Sequence, residues 1–328
     1  MKSTYHVTNS NYSTYDRTVL RVRCFSNLAN QDNLQKELGS VSVWGSGGFT
    51  PPFGELNSPP QQRGRGQQVM RRGLLDFRHV SVMLGGKRVL DDITLSIGAG
   101  EHVAILGPNG CGKSTLIKTI TRECYPLAVP ESSLTILGRA TWNVFELRPL
   151  LGIVSSELLQ RSTREITGRE MVLSGFFSSI GLQPYHQVSR AMTRKTDQVL
   201  ELLGARHLAD REMNGISQGE AHRLLIGRAL VHDPMALLLD EPSNSLDFGA
   251  ALGLRDILRK LARAGTGILM VTHHLADILP EIDRVILLRE GRVFRDGPKR
   301  ALLTTKHLSE LFGLPVQVLQ RDGYYHLW

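Results

Sequence analysis

Long hydrophobic runs are missing from this chain of 328 residues. Its longest apolar stretches are pieces such as MALLLD, ending at Asp240, and DRVILL, starting at Asp283. Both fall far short of the roughly 18 to 20 residues that a membrane-spanning helix requires. Cysteine is scarce as well: Cys24, Cys111 and Cys124 are an odd set without a CxxC pair. That argues against a disulfide framework or a structural zinc site and points to a reducing, intracellular setting. The histidines His79, His102, His186, His207, His222 and His232 are scattered without HExxH spacing, so they read as packing or surface residues. Acidic charge runs short at one end. The net charge is +8, but residues 1–73 hold nine basic and four acidic residues, so most of the excess lies there. The remainder is nearly balanced, and no specific nucleic-acid partner is expected.

What is present is the composition of an ordinary globular protein, 41% hydrophobic and 21% charged. Residues 1–70 differ from the rest. They are rich in Ser, Asn, Gly, Pro, Gln and Arg, and show no period of 2 or 3.6 between Gly45 and Gln68. Such a stretch buries too little apolar surface to offset its chain entropy, so a poorly ordered N-terminal extension is expected. No apolar segment follows Lys2 as a secretory signal would require; a transit peptide, or a start of translation at Met70, are the alternatives. Arg63 and Arg65 then belong to a solvated tail.

From Leu74 onward strands alternate with helices. LLDFRHVSV and KRVLDDITLSI read as strands around the Gly85–Gly86 turn, and HVAILG is apolar enough to be a parallel strand buried on both faces. Further strands are expected at LTILG, LGIVSS, MALLLD, GILMVT and DRVILL, with helices at GEAHRLLIGRALVHD and LGLRDILRKLARA. Between Thr163 and Asn214 helix dominates, which predicts a helical insertion over about 160–215. The pattern is that of an α/β sheet with ligands at the strand carboxyl ends.

GPNGCGKST, comprising Gly107, Pro108, Asn109, Gly110, Cys111, Gly112, Lys113, Ser114 and Thr115, matches GxxxxGK[ST] between an apolar strand and a helix. Glycines turn backbone N–H groups onto phosphate oxygens, Lys113 brings a compact charge to the β and γ phosphates, and the Ser114 hydroxyl suits Mg²⁺. Cys111 reads as space-filling, with a thiol open to alkylation when nucleotide is absent. MALLLDEP delivers Asp240 and Glu241 to the end of a buried strand. Asp240 suits the metal and Glu241 the attacking water. Ser217, followed at the third position by Glu220, is a capping box, a second phosphate-binding helix end, or both.

In this order of motifs the chain resembles the ATP-binding cassette (ABC) ATPases over about residues 74–300, ISQGE standing where their LSGGQ signature stands. The resemblance implies the P-loop NTPase fold in its ABC ATPase architecture: a mixed, largely parallel sheet core, an antiparallel β subdomain and the helical insertion. It divides the chain into an extension (1–70), an ATPase domain (71–312) and a C-terminal strand extension (313–328). It implies that Ser217 and Gly219 contact nucleotide held by a second subunit, that Asp247 belongs to the loop joining the two sites, and that His273 rather than His274 faces the γ-phosphate. It further implies ATP and Mg²⁺ as cofactors, a homodimer, integral membrane permease subunits, and a place on the cytoplasmic face of the membrane. The alternative is a soluble ABC ATPase acting on a macromolecule. One phosphate loop, one signature and no long coiled-coil insertion count against it. Several positions depart from the family pattern. Leu84 stands where an adenine-stacking aromatic is usual, Ser156 where a glutamine is usual (Glu157 and Gln160 are the candidate substitutes), and Gln218 and Glu220 alter the signature. GIVSSELLQ and REMVLSGFFSSIGL are similar to a single-cassette bacterial branch linked to molybdenum or iron uptake.

Overall fold

The computed structural model describes residues 73–162 and 165–328. The expected N-terminal extension lies outside the described residues. Two long strands open the chain, β1 (Gly73–Leu84) and β2 (Lys87–Gly98). They pair antiparallel around Gly85 and Gly86, whose φ values of 55° and 77° give the double left-handed turn that matches strand twist. β4 (Ser133–Ile136) joins the other edge of β1, completing the antiparallel subdomain in the order β2-β1-β4.

The main sheet contains β3 (His102–Leu106), β5 (Leu151–Ser155), β6 (Ala236–Asp240), β7 (Gly267–Thr272), β8 (Arg284–Arg289) and β9 (Arg292–Pro298). Their order is β5-β6-β7-β3-β8-β9, parallel except for the β9 edge. Alternate residues of the central strands enter two different cores. Ala104, Leu106, Leu237, Leu239, Ile268, Met270, Val285 and Leu287 face one. Val103, Ile105, Ala236, Leu238, Leu269, Val271, Ile286 and Leu288 face the other, together with the antiparallel subdomain. Burial on both faces explains why these strands read as continuous apolar runs.

The helices are α1 (Lys113–Ile120), α2 (Val144–Leu147), α3 (Ser156–Ser162), α4 (Gly168–Leu173), α5 (Arg190–Leu202), α6 (Gln218–Leu230), α7 (Phe248–Arg263), α8 (Lys299–Leu302) and α9 (Thr305–Phe312). The insertion is helical as expected: α4 packs on α5 and α6, and α6 lies against β5. A hairpin, β10 (Val318–Arg321) with β11 (Tyr324–Leu327), closes the chain, and β11 packs on the turn Leu275–Asp277. Among the described residues no helix is long and apolar enough to cross a membrane.

Helix starts carry a functional signal. Among the described helices of eight residues or more, α5, α6, α7 and α9 are capped by the side chains of Ser189, Ser217, Asp247 and Thr304. Each such cap is worth about 1 kcal/mol. Only α1 begins at a glycine, Gly112, with no side chain on its first-turn N–H groups. Those donors are left to face an external anion.

Candidate active site

Gly107–Thr115 runs from the end of β3 into α1. Glycine is required at two places in this loop. A Cβ at Gly107 would stand 2.3 Å from the Leu288 carbonyl oxygen, and Gly112 combines φ 106° with a Cβ position 2.8 Å from Leu90. Both are closer than side chains approach, and the second is left-handed as well. Lys113, 5% exposed, folds back so that Nζ donates to the carbonyl oxygens of Gly107 (2.9 Å) and Pro108 (3.1 Å). Its third neighbour is Glu241 Oε1 at 3.3 Å. Asn109, Gly110 and Ser114 are exposed along the loop.

Cys111 fills space as expected, but its thiol is not open. It is 4% exposed, and burial pushes its thiol up from the ordinary range. A thiolate is the nucleophile, so a buried thiol held protonated is inert rather than open to alkylation. Its bulk fills the gap beneath Gly107.

The acidic pair sits at the carboxyl end of β6. Asp240 Oδ1 accepts from Ser114 Oγ at 3.3 Å, and burial raises the carboxyl above the usual range, with repulsion from Glu241 adding to it. Glu241 adopts φ 53°, and its N–H donates to the Val271 carbonyl of the neighbouring strand. This turns its side chain between Lys113 on one side and His273 Nδ1 on the other, with which Oε2 is in close contact. His274 is exposed and packs beside the His273 ring, centroids 3.8 Å apart. The structure thus joins Lys113, Glu241 and His273 in one set of contacts, and the Ser114–Asp240 pair stands on the residues adjacent to Lys113 and Glu241.

Ser217 and Asp247 are not joined to that set. Ser217 forms the capping box: Glu220 N donates to its Oγ (3.3 Å), Oγ donates to Glu220 Oε2 (2.9 Å), and Ser217 N donates to the same oxygen (2.8 Å). These bonds hold the Glu220 carboxyl below its ordinary range. Gly219 is pressed on α7, where its Cβ would lie 2.5 Å from that of Ala250. Asp247 caps α7 by accepting from Ala250 N at 2.8 Å, after Ser245 at φ 65°. Ser217, Gly219, Glu220, Arg223, Gly249 and Ala250 share a cleft of about 310 Å³. Of the departures, Leu84 is exposed at the β1 end, Ser156 opens α3, and Glu157 pairs with Lys118 (3.1 Å) and Arg161 (2.8 Å).

Three residues escaped the sequence reading. Asp277, 3% exposed, accepts through Oδ2 from Ser243 Oγ (2.7 Å) and Thr272 Oγ1 (2.8 Å). The available signal was one acid within the apolar segment LADIL, beside two motif-adjacent hydroxyls.

An uncapped helix behind a glycine loop, a lysine against a strand-end carboxylate pair and a histidine from the next strand define a nucleotide-binding ATPase of the phosphate-loop class. The family described as ABC transporter matches residues 90–244. The ABC transporter ATP-binding protein YlmA of Bacillus subtilis is 37% identical over 251 residues, 75% of this chain and 93% of that protein. The hemin import ATP-binding protein HmuV of Bradyrhizobium diazoefficiens is 31% identical over 258 residues, 76% of this chain and 92% of its own. A solved ATP-binding cassette, MJ1267 in its ADP conformation, shares the fold with TM-score 0.62 at 24% identity, covering 73% of this chain and 98% of its own. The chain belongs to the ABC transporter ATP-binding family and is an ATP-hydrolysing subunit that energises such a transporter.

Proposed function

We propose that two copies of this chain close head to tail on two ATP molecules, each held by the phosphate loop of one copy and by Ser217, Gly219 and Asp247 of the other. The observation that carries the reading is the contact set running from Lys113 through Glu241 to His273. Lys113 exchanges its loop carbonyls for the β and γ phosphates, supported by the free N–H groups of α1. Its departure releases Glu241, which then polarises the attacking water. A positioned general base contributes about 10² to 10⁴ in rate. His273, steered by Glu241, donates toward the γ-phosphate.

Ser114 and Asp240 fit Mg²⁺. They are hard oxygen donors in contact, and the carboxylate pays a desolvation cost that a bound cation would offset. When bound, the ion neutralises charge on the β and γ oxygens.

The permease subunits are assigned to the cleft of about 430 Å³ bordered by β5, α3 and α6. There Arg228 donates to the Ser179 carbonyl oxygen, while burial and the neighbouring Arg148 lower its guanidinium to about 10. The cassette then works at the cytoplasmic membrane face, in import, as the hemin import relatives are named. Residues 71–312 form the ATPase domain, with 1–70 dispensable for it and 313–328 a C-terminal strand extension whose Val316 and Tyr325 pack into its core. Membrane fractionation followed by identification of co-purifying integral proteins tests the assignment. Lys113→Ala is expected to lower turnover at least 10² to 10³ fold, and unchanged ATPase activity in that variant removes the phosphate-loop reading.

A further inference from the structure

The two loops carrying the proposed catalytic pair are joined by a third element. Glu241 follows β6 and His273 follows β7. Each has a hydroxyl residue nearby: Ser243 two positions after the glutamate, Thr272 immediately before the histidine. Both hydroxyls donate to a single oxygen, Asp277 Oδ2, at 2.7 and 2.8 Å. The Thr272 hydroxyl has no rotational freedom left, since its oxygen also accepts from His274 N at 2.9 Å. Asp277 is 3% exposed, so water does not compete for these bonds.

A buried carboxylate needs compensation, and α7 supplies it. Arg255 places Nη2 at 3.9 Å from Asp277 Oδ1. The Arg255 Nε makes no hydrogen bond, and its guanidinium stands over the Tyr324 ring at 5.6 Å. Tyr324 opens β11, and β11 packs on the turn that bears Asp277. The C-terminal hairpin therefore backs the aspartate from behind.

We propose that Asp277 is a positioning residue for ATP hydrolysis: by binding Ser243 and Thr272 through one oxygen it fixes the separation of Glu241 and His273. The proposal rests on the reading of those two residues as base and γ-phosphate donor. Asp277 itself touches neither. A two-hydroxyl tie to one atom leaves the β6 and β7 loops little room to slide apart, and misplacement of a reacting group by about 1 Å costs on the order of 10² in rate.

The test is steady-state ATPase kinetics of the full chain, read as kcat and KM separately, with Tm recorded beside them. Asp277→Asn is expected to lower kcat roughly 10 to 100 fold while KM for ATP stays within about twofold. Thr272→Val deletes one hydroxyl at constant shape and is expected to reproduce a smaller part of the loss; Thr272→Ser restores it. In a His273→Ala background, Asp277→Asn is expected to add little, because the separation it sets no longer matters. A merely structural role would instead lower Tm and activity equally in both backgrounds, which overturns the proposal. So does a kcat within about twofold of wild type for both Asp277→Asn and Thr272→Val. Glu241→Gln serves as the reference: if it hydrolyses ATP normally, the base assignment fails, whereas its inactivity beside a fully active Asp277→Asn variant sinks only the tie.

Discussion

Replacing Ser217 with alanine removes two of the three bonds of the capping box, from Glu220 N to Oγ at 3.3 Å and from Oγ to Glu220 Oε2 at 2.9 Å. The third, from the residue 217 backbone N–H to Glu220, survives. Loss of such a cap costs about 1 kcal/mol, and in a domain of this size that lowers Tm by about 2 to 4 °C. If the hydroxyl also faces the phosphate held by a second copy, alanine forfeits a hydrogen bond to a charged group, about 1.5 to 3 kcal/mol, or roughly 10 to 150 fold in turnover. Asparagine separates the two effects. It caps a helix as well as serine does, so Ser217→Asn is expected to recover the lost Tm, yet its longer, blunt amide stands where the phosphate must approach and turnover stays low. Ser217→Thr keeps the hydroxyl and is expected to recover both. Differential scanning fluorimetry and a phosphate-release assay read the two axes. Wild-type turnover in Ser217→Asn would show that the hydroxyl caps α6 and does nothing more.

Asp240→Asn is expected to raise the Tm of the nucleotide-free protein while abolishing Mg²⁺-dependent turnover. Burial raises the Asp240 carboxyl in the fold, so the folded state favours the neutral form; that advantage is complete below the ordinary aspartate pKa and lost as pH rises through the raised one. The gain in Tm over wild type is therefore expected at neutral pH and to shrink as the pH is lowered, and a neutral-pH decrease would contradict the desolvation argument. Under iodoacetamide, Cys111 is expected to react far more slowly than the half-buried Cys124 in the nucleotide-free protein. Peptide mapping after a short pulse decides it, and equal labelling of the two would mean that the phosphate loop opens.

Legibility of the fold in the sequence followed burial. The central strands, enclosed on both faces, left unbroken apolar runs that named themselves, as did the glycine turn at Gly85 and Gly86. The edge strand β9 and helices α3 and α9 were silent: β9 has no fully buried residue to mark it, and α3 and α9, at seven and eight residues, offer too few turns for their pattern to stand out. The site was legible where backbone geometry dictates residue type. Gly107 and Gly112 have no alternative, and a strand end followed by two acids is distinctive. The capping box at Ser217 was legible too, since it depends on a spacing of three residues. Asp277 was not, because its partners Ser243 and Thr272 lie 34 and 5 residues away and meet only after β6 and β7 have paired. Cys111 was legible as filler from its motif, but its burial under Gly107, which closes the thiol off, depends on packing that the sequence does not display.

Whether two copies share each nucleotide is decided most directly by molecular mass from light scattering. Glu241→Gln keeps shape and phosphate contacts but removes the base, so bound ATP persists and its binding energy holds the closed pair together. With ATP and Mg²⁺ this variant is expected at twice the chain mass, and without nucleotide at the chain mass. Adding Ser217→Arg sets a bulky side chain against the partner's nucleotide and is expected to return the protein to a monomer that still binds ATP through Lys113. A double variant that dimerises as well as the single one, or a Glu241→Gln variant that stays monomeric with saturating ATP, contradicts the shared site.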